Sequence, residues 1–287
     1  MIYKIYNESS KINTMSEEDK FYNSLMEFSD SMHQISTSVL IEGYECRLFL
    51  EENWLNESTA INEGVGEFLG NIIKKIKTAI SKAIQFIKDK ITAIKNSIFK
   101  KKIDQADPKK IEEQKSITIY EFDIKAAQST FDKLIKSDPT SKFTNSDQEK
   151  NFIDYERSRS NFTPVEDGKA GTSNVDGYVK SKTIQPTKNG IKAEWEKLSA
   201  EYTKFMNTIK VLGDRVGGEL DEKVQDALSS GNNSNEIGNV TLFVSALTEL
   251  VSTYTQNVSK VIEHNRKALE RCVDAASGNT GKQEENK

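Results

Sequence analysis

Apolar residues recur along much of the chain at helical spacing. Between Leu69 and Ile98 they fall at Leu69, Ile73, Ile76, Ile80, Ile84, Ile87, Ile91, Ile94 and Ile98, three or four apart throughout. That spacing averages the 3.6-residue period of an α-helix, so the segment predicts one long amphipathic helix rather than a strict heptad coil. The period returns at Ile191, Trp195, Leu198, Tyr202, Phe205, Ile209 and Leu212. After the interruption "GDRVGG", a short helix is expected around Glu219–Leu228. A last helix from about Thr241 to Ala276 carries Phe243, Leu247, Val251, Tyr254, Val258, Val261, Leu269 and Val273. These stripes predict an antiparallel helical bundle in the C-terminal part.

Between the helical regions the pattern changes. "SITIYEF" (Ser116–Phe122) alternates apolar and polar positions and suits a short strand. Asp123 then opens a helix over Asp123–Lys136 as its N-cap. Ser137–Gly190, rich in Ser, Thr, Asn, Asp, Lys and Gly, reads as mostly loop and partly disordered. Within it, Gly177–Gln185 is a candidate partner strand for Ile117–Phe122. The expected fold class is therefore mainly α, partly disordered: a long amphipathic helix, a C-terminal antiparallel helical bundle and a minor β-hairpin in the middle. The corresponding organisation is an acidic leader over 1–63 and the cationic helix over 64–103. A strand and helix follow over 104–136, a flexible polar segment over 137–190, the bundle over 191–276 and a disordered tail over 277–287.

Composition narrows the function classes. Of 287 residues, 36% are hydrophobic and 29% charged, and no apolar run is long enough to cross a bilayer. "MIYKIYNESSK" at the start lacks the sections of a secretory signal. Cys46 and Cys272 lie far apart, which favours a reducing compartment over a disulfide framework, and only His33 and His264 are present. Phosphate loops, nucleophile elbows, zinc-ligand pairs and calcium-loop spacing are all missing from the sequence. The expectation is a non-enzymatic protein without a cofactor or bound metal.

Charge is strongly segregated. Residues 1–67 carry four Lys/Arg against thirteen Asp/Glu, a net −9, while residues 68–102 carry ten Lys against Asp89 alone, a net +9. The ten are Lys74, Lys75, Lys77, Lys82, Lys88, Lys90, Lys95, Lys100, Lys101 and Lys102. Three readings follow for this helix: a core helix whose lysines are its solvated face, a membrane-surface helix, or a face that neutralises phosphates. The block has no Arg and only Phe68, Phe86 and Phe99 as aromatics, so base readout is not indicated.

Beside the charge boundary, an aliphatic-x-Glu triplet followed by Gly or Ser occurs three times. The junctions are Glu42–Gly43, Glu57–Ser58 and Glu63–Gly64. Other aliphatic-x-Glu triplets, such as Leu25–Glu27 and Val65–Glu67, are followed by larger residues. The pattern resembles the cleavage sequence of the prohead proteases of large tailed bacteriophages, whose internal head proteins lose an N-terminal segment after a glutamate. "SKVIEHNRKALERCVDAAS" is likewise similar to the C-terminal helix of structural proteins of such phages. This resemblance implies an internal or structural virion protein, made in the host cytoplasm and packaged inside the capsid. Its partners would be capsid or other virion proteins, a prohead protease and, non-specifically, packaged DNA. Removing residues 1–63 would take away twelve acids and four bases, leaving a net +4 product whose lysines the leader had shielded. The alternatives are a membrane-active protein with an acidic pro-segment and an unprocessed intracellular helical scaffold.

Overall fold

A computed structural model describes residues 16–53, 58–162, 177–229 and 234–277. It is mainly helical with one two-stranded antiparallel sheet, as the hydrophobic pattern predicts. Three long helices dominate: α1 (Glu17–Asn53), α2 (Ser58–Asn96) and α9 (Ser234–Ala276). Between α2 and α9 come α3 (Phe99–Gln105), α4 (Pro108–Glu112), β1 (Ile117–Phe122), α5 (Ile124–Lys136) and α6 (Ser146–Ser160). They are followed by β2 (Val179–Ile184), α7 (Lys188–Arg215), a π-helical turn (Val216–Leu220) and α8 (Asp221–Ser229).

Caps explain where several helices start. Ser16 and Asp19 bond reciprocally at the head of α1, with the Asp19 amide donating to Ser16 Oγ at 3.1 Å. Asp107, Asp123, Asn145 and Thr187 cap α4, α5, α6 and α7 through side-chain oxygens. Strand register pairs Ile117 with Ile184 and Phe122 with Val179. At the outer edge of β1 one side chain pairs with the backbone of Tyr120. Asn265 on α9 accepts from the Tyr120 amide at 2.9 Å and donates to the Tyr120 carbonyl at 2.7 Å. An amide side chain thereby satisfies the outward-facing amide and carbonyl of Tyr120 as a third strand would.

One apolar core runs from Phe21 on α1 to Ala276 on α9. α9 is its axis, packing on α1 most extensively and also on α2, α6, α7 and β1. The expected seam of α7, from Ile191 through Leu212, is buried, and Trp195 lies 4.1 Å from Phe99 between ring centroids. Four sequence expectations change. The cationic helix breaks after Asn96, so Ile98, read as the end of the apolar stripe, is 67% exposed. The "GDRVGG" segment does not interrupt the helical backbone, which continues through a π-turn into α8. The polar segment 137–190 contains α6 as well as β2; its residues 163–176 lie outside those described, as does most of the tail. Finally, neither 63/64 nor 190/191 is a core boundary. α1, expected as a separable leader, buries Phe21, Leu25, Phe28, Met32, Val39, Cys46 and Leu50 in the same core as the C-terminal helices.

Close approach of α1 to α9 depends on one glycine. A Cβ on Gly43 would stand 2.2 Å from Thr241 Oγ1 and 2.4 Å from its Cγ2. Nearby, the hydroxyls of Ser36 and Ser245 meet at 3.1 Å across the same contact. Small residues on both helices thus set the interhelical distance.

Candidate functional site

The cationic helix α2 has three faces. Its apolar face is consumed by the core, with Ile72, Ile76, Ala79, Ala83 and Ile87 essentially without exposure. A second face meets α1. There Lys75 pairs with Glu42 at 2.8 Å and donates to Ser38, Lys82 donates to Ser31, and Lys90 donates to Ser24 at 2.6 Å. Lys90 also stands 4.8 Å from the Phe21 ring centre and 5.0 Å from that of Phe86, and burial lowers its pKa. Phe28 of α1 stacks on Phe86 at 4.7 Å.

Lys74, Lys77, Lys88 and Lys95 form the third, exposed face, with the Lys77 side chain running beside Gly217 of the π-turn. At about 100° per residue these four fall within an arc of roughly 60°, and they extend over about 32 Å of helix. Thr78, Ser81, Gln85 and Thr92 fill the positions between them, with Asp89 at the margin held by Gln85 at 2.9 Å. The remaining predicted contact residues sit on α3. Lys100 pairs with Glu196 at 3.5 Å, Lys102 pairs with Asp274 at 3.0 Å, and Lys101 is exposed. The structure therefore sorts the ten lysines. Four make one open stripe, three are engaged by α1, two form exposed ion pairs and one stands apart on α3.

The three glutamate junctions also separate. Glu42–Gly43 lies within α1, with Gly43 buried against Thr241 and Glu42 held by Lys75. A protease needs extended backbone, so cleavage there requires this part of α1 to unwind first. Glu57 lies outside the described residues. Ser58 and Glu63 belong to the first turns of α2, and Gly64 follows them, with a Cβ on Gly64 placed 2.9 Å from the Phe49 ring. Glu57–Ser58 adjoins the link between α1 and α2.

Sequence reading passed over a buried polar cluster. Glu156 on α6 is 4% exposed, and its Oε2 accepts from Tyr178 at 2.7 Å and from Tyr254 at 2.6 Å. Thr130 lies 2.8 Å from the Tyr178 hydroxyl, and the Arg159 guanidinium stacks 4.5 Å from the Tyr178 ring centre. Burial and the adjacent carboxylate raise the pKa of both tyrosines, so both stay protonated donors. The cluster ties α6 and the start of β2 to α9. On α7, Glu201 has its carboxyl pushed up to about 7 by burial, with Glu121 and Glu194 adding to the effect.

Among the described residues no group of three or more His, Cys, Asp or Glu is placed to hold a metal, and no helix is long and apolar enough to cross a membrane. Both cysteines are buried free thiols. Comparison with protein-family models, curated proteins and solved structures finds no match to this chain.

Proposed function

We propose that this chain is a non-enzymatic structural protein of the head interior of a large tailed bacteriophage, facing packaged DNA through α2. The observation that carries the reading is the open stripe of Lys74, Lys77, Lys88 and Lys95 on a helix whose apolar face is already used by the core. Such a helix has no hydrophobic work left to do at its surface. What it offers is a rigid row of positive charge about as long as one duplex turn, without aromatic or arginine side chains for base readout.

Processing enters this reading in a changed form. α1 engages Lys75, Lys82 and Lys90 and leaves the four-lysine stripe open, so the stripe does not depend on loss of the acidic segment. Stripping α1 away would uncover the α2 and α9 surfaces it packs on. A cut after Glu57 or Glu63 would instead nick the chain beside the α1–α2 link, with α1 retained by its buried side chains. The membrane-active alternative would require α2 to leave the core before its isoleucines could meet lipid. The unprocessed-scaffold alternative draws on the packed state of Glu42–Gly43.

Lysine acetylation of purified particles, before and after DNA release, tests this function. The four stripe lysines should gain reactivity when the DNA leaves, while Lys75 and Lys90 change little. The same peptides should show a new N-terminus at Ser58 or Gly64, with the α1 fragment still present. Absence of the chain from particles, or equal reactivity in full and emptied heads, refutes the reading.

A further inference from the structure

A cavity of about 630 Å³ opens between α1, α6 and α9, away from the lysine stripe. It lies within the size range of small-ligand pockets. One wall is apolar, formed by Leu40, Tyr44 and Leu242. The others carry Arg47, Asn145, Asn235 and Asn239 with neighbouring hydroxyl and glycine positions, and among the described residues no carboxylate lines the cavity. The Asn239 NH2 group is already given to the Thr140 carbonyl at 2.6 Å, but a concave site with one fixed cation and no acid among its described lining residues still favours an anion.

Arg47 shows this most directly. Its Nε is buried and has no hydrogen-bond partner. Its Nη1 would lie 3.3 Å from a Cβ on Gly238, so the guanidinium rests on the first turns of α9, where glycine leaves room for it. A buried guanidinium N–H without an acceptor is costly, and because Arg47 also lines the cavity, an anion bound there would balance its charge. Glu236, the acid of that turn, does not line the cavity, and its own Oε2 is buried without a hydrogen-bond partner. Asn145 spends its side-chain oxygen on the Gln148 amide as the cap of α6, which leaves its NH2 group for a ligand. The positive dipole ends of α6 and α9 both face this region and add to the same preference.

We propose that this cavity binds a small organic anion, a phosphate or carboxylate group carried on a flat apolar body. Arg47 takes the anionic group, and the body lies along Leu40, Tyr44 and Leu242. Tyr44 is 63% exposed on α1, an open aromatic face at the mouth of a charged site.

Calorimetric titration of the full chain with phenyl phosphate, benzoate and inorganic phosphate tests the proposal. Phenyl phosphate and benzoate should both bind, and phenyl phosphate should bind more tightly than inorganic phosphate because only it uses the apolar wall. Arg47→Gln should weaken both organic anions about ten-fold or more, the usual effect of losing a charge-assisted hydrogen bond. Tyr44→Ala, a surface change that leaves the core intact, should weaken phenyl phosphate several-fold and leave inorganic phosphate unchanged. Glu236→Gln should strengthen every anion by removing a nearby negative charge. No detectable binding of either organic anion to the wild-type chain overturns the proposal. So does equal affinity for phenyl phosphate in the wild-type and both the Arg47→Gln and Tyr44→Ala chains.

Discussion

Gly43→Ala isolates the contact that makes α1 part of the fold. In an exposed helix, replacing glycine by alanine stabilises by up to about 1 kcal/mol, because glycine loses more backbone freedom on folding. Here the new methyl would meet Thr241 Oγ1 at 2.2 Å, Cγ2 at 2.4 Å and Cβ at 2.8 Å. Rotating Thr241 does not relieve all three, since both of its branches and their root are too close. It would also disturb the 2.7 Å bond from Thr241 to the Ile237 carbonyl. The helices must therefore separate, and overpacking of this kind costs typically 1–3 kcal/mol. With the clash at the upper end and the propensity gain subtracted, the net loss is about 2 kcal/mol. For a chain of this size that lowers the melting temperature by roughly 3–4 °C. Thermal unfolding followed by circular dichroism reads the shift. Thr241→Ala should recover part of it in a double-mutant cycle, because it removes the two nearest atoms. Gly66 and Gly70 on α2 are internal controls, since a Cβ at either meets nothing within 4 Å. Alanine at those positions should stabilise. If Gly43→Ala stabilises as they do, α1 is not seated on α9 and the argument for a single core fails.

Three further outcomes follow from the same geometry. Glu201→Gln should stabilise the protein near pH 8 and scarcely change it near pH 4.5. A carboxyl raised from 4.5 to about 7 favours the fold while protonated and loses that advantage as pH rises through the interval. The effect is at most about 3 kcal/mol and is read from melting temperature against pH. Tyr254→Phe should cost about 1–3 kcal/mol in denaturant unfolding, because Glu156 loses one of two hydroxyl donors inside the core, whereas Tyr155→Phe on the surface should change nothing. An engineered protease site between Asn53 and Ser58, once cut, should leave the α1 fragment co-eluting with the rest on gel filtration; separate elution would return α1 to the status of a detachable leader.

Hydrophobic period located α2, α7 and the greater part of α9, but no helix was read over α1. The α7 seam and the α2 stripe repeat every three or four residues without interruption, and the alternation of β1 was enough to suggest its partner. α6 was harder, because only Ile153, Glu156 and Ser160 of its fifteen residues are buried. Its anchors are hydrogen bonds to residues far along the chain, which periodicity does not record. Its cap, Asn145, with Asp147 and Glu149 in the first turn and Arg157 and Arg159 in the last, was the available signal. α1 misled for a different reason. Its negative charge set it apart from its neighbour, yet charge describes its solvent face, while Phe21, Leu25, Phe28 and Met32 describe where it packs. Of the ten candidate lysines, the pattern located the helix that carries seven, but not the break that puts Lys100, Lys101 and Lys102 on α3, nor the division among the seven. That division depends on α1 lying along one side of α2, a tertiary fact. The cavity at Arg47 had no local signature, since its walls come from three separated segments.

The stripe itself is tested most directly by the salt dependence of duplex DNA binding, measured by fluorescence anisotropy on the intact chain and on a chain with Lys74, Lys77, Lys88 and Lys95 all changed to Ala. Each phosphate neutralised contributes about 0.9 to the slope of log affinity against log salt. The account predicts sequence-independent binding by the intact chain and a slope shallower by about 3 to 4 in the variant, with helicity and melting temperature little altered because all four side chains are exposed. Equal slopes for the two chains, or an affinity unchanged when the stripe is gone, would contradict it.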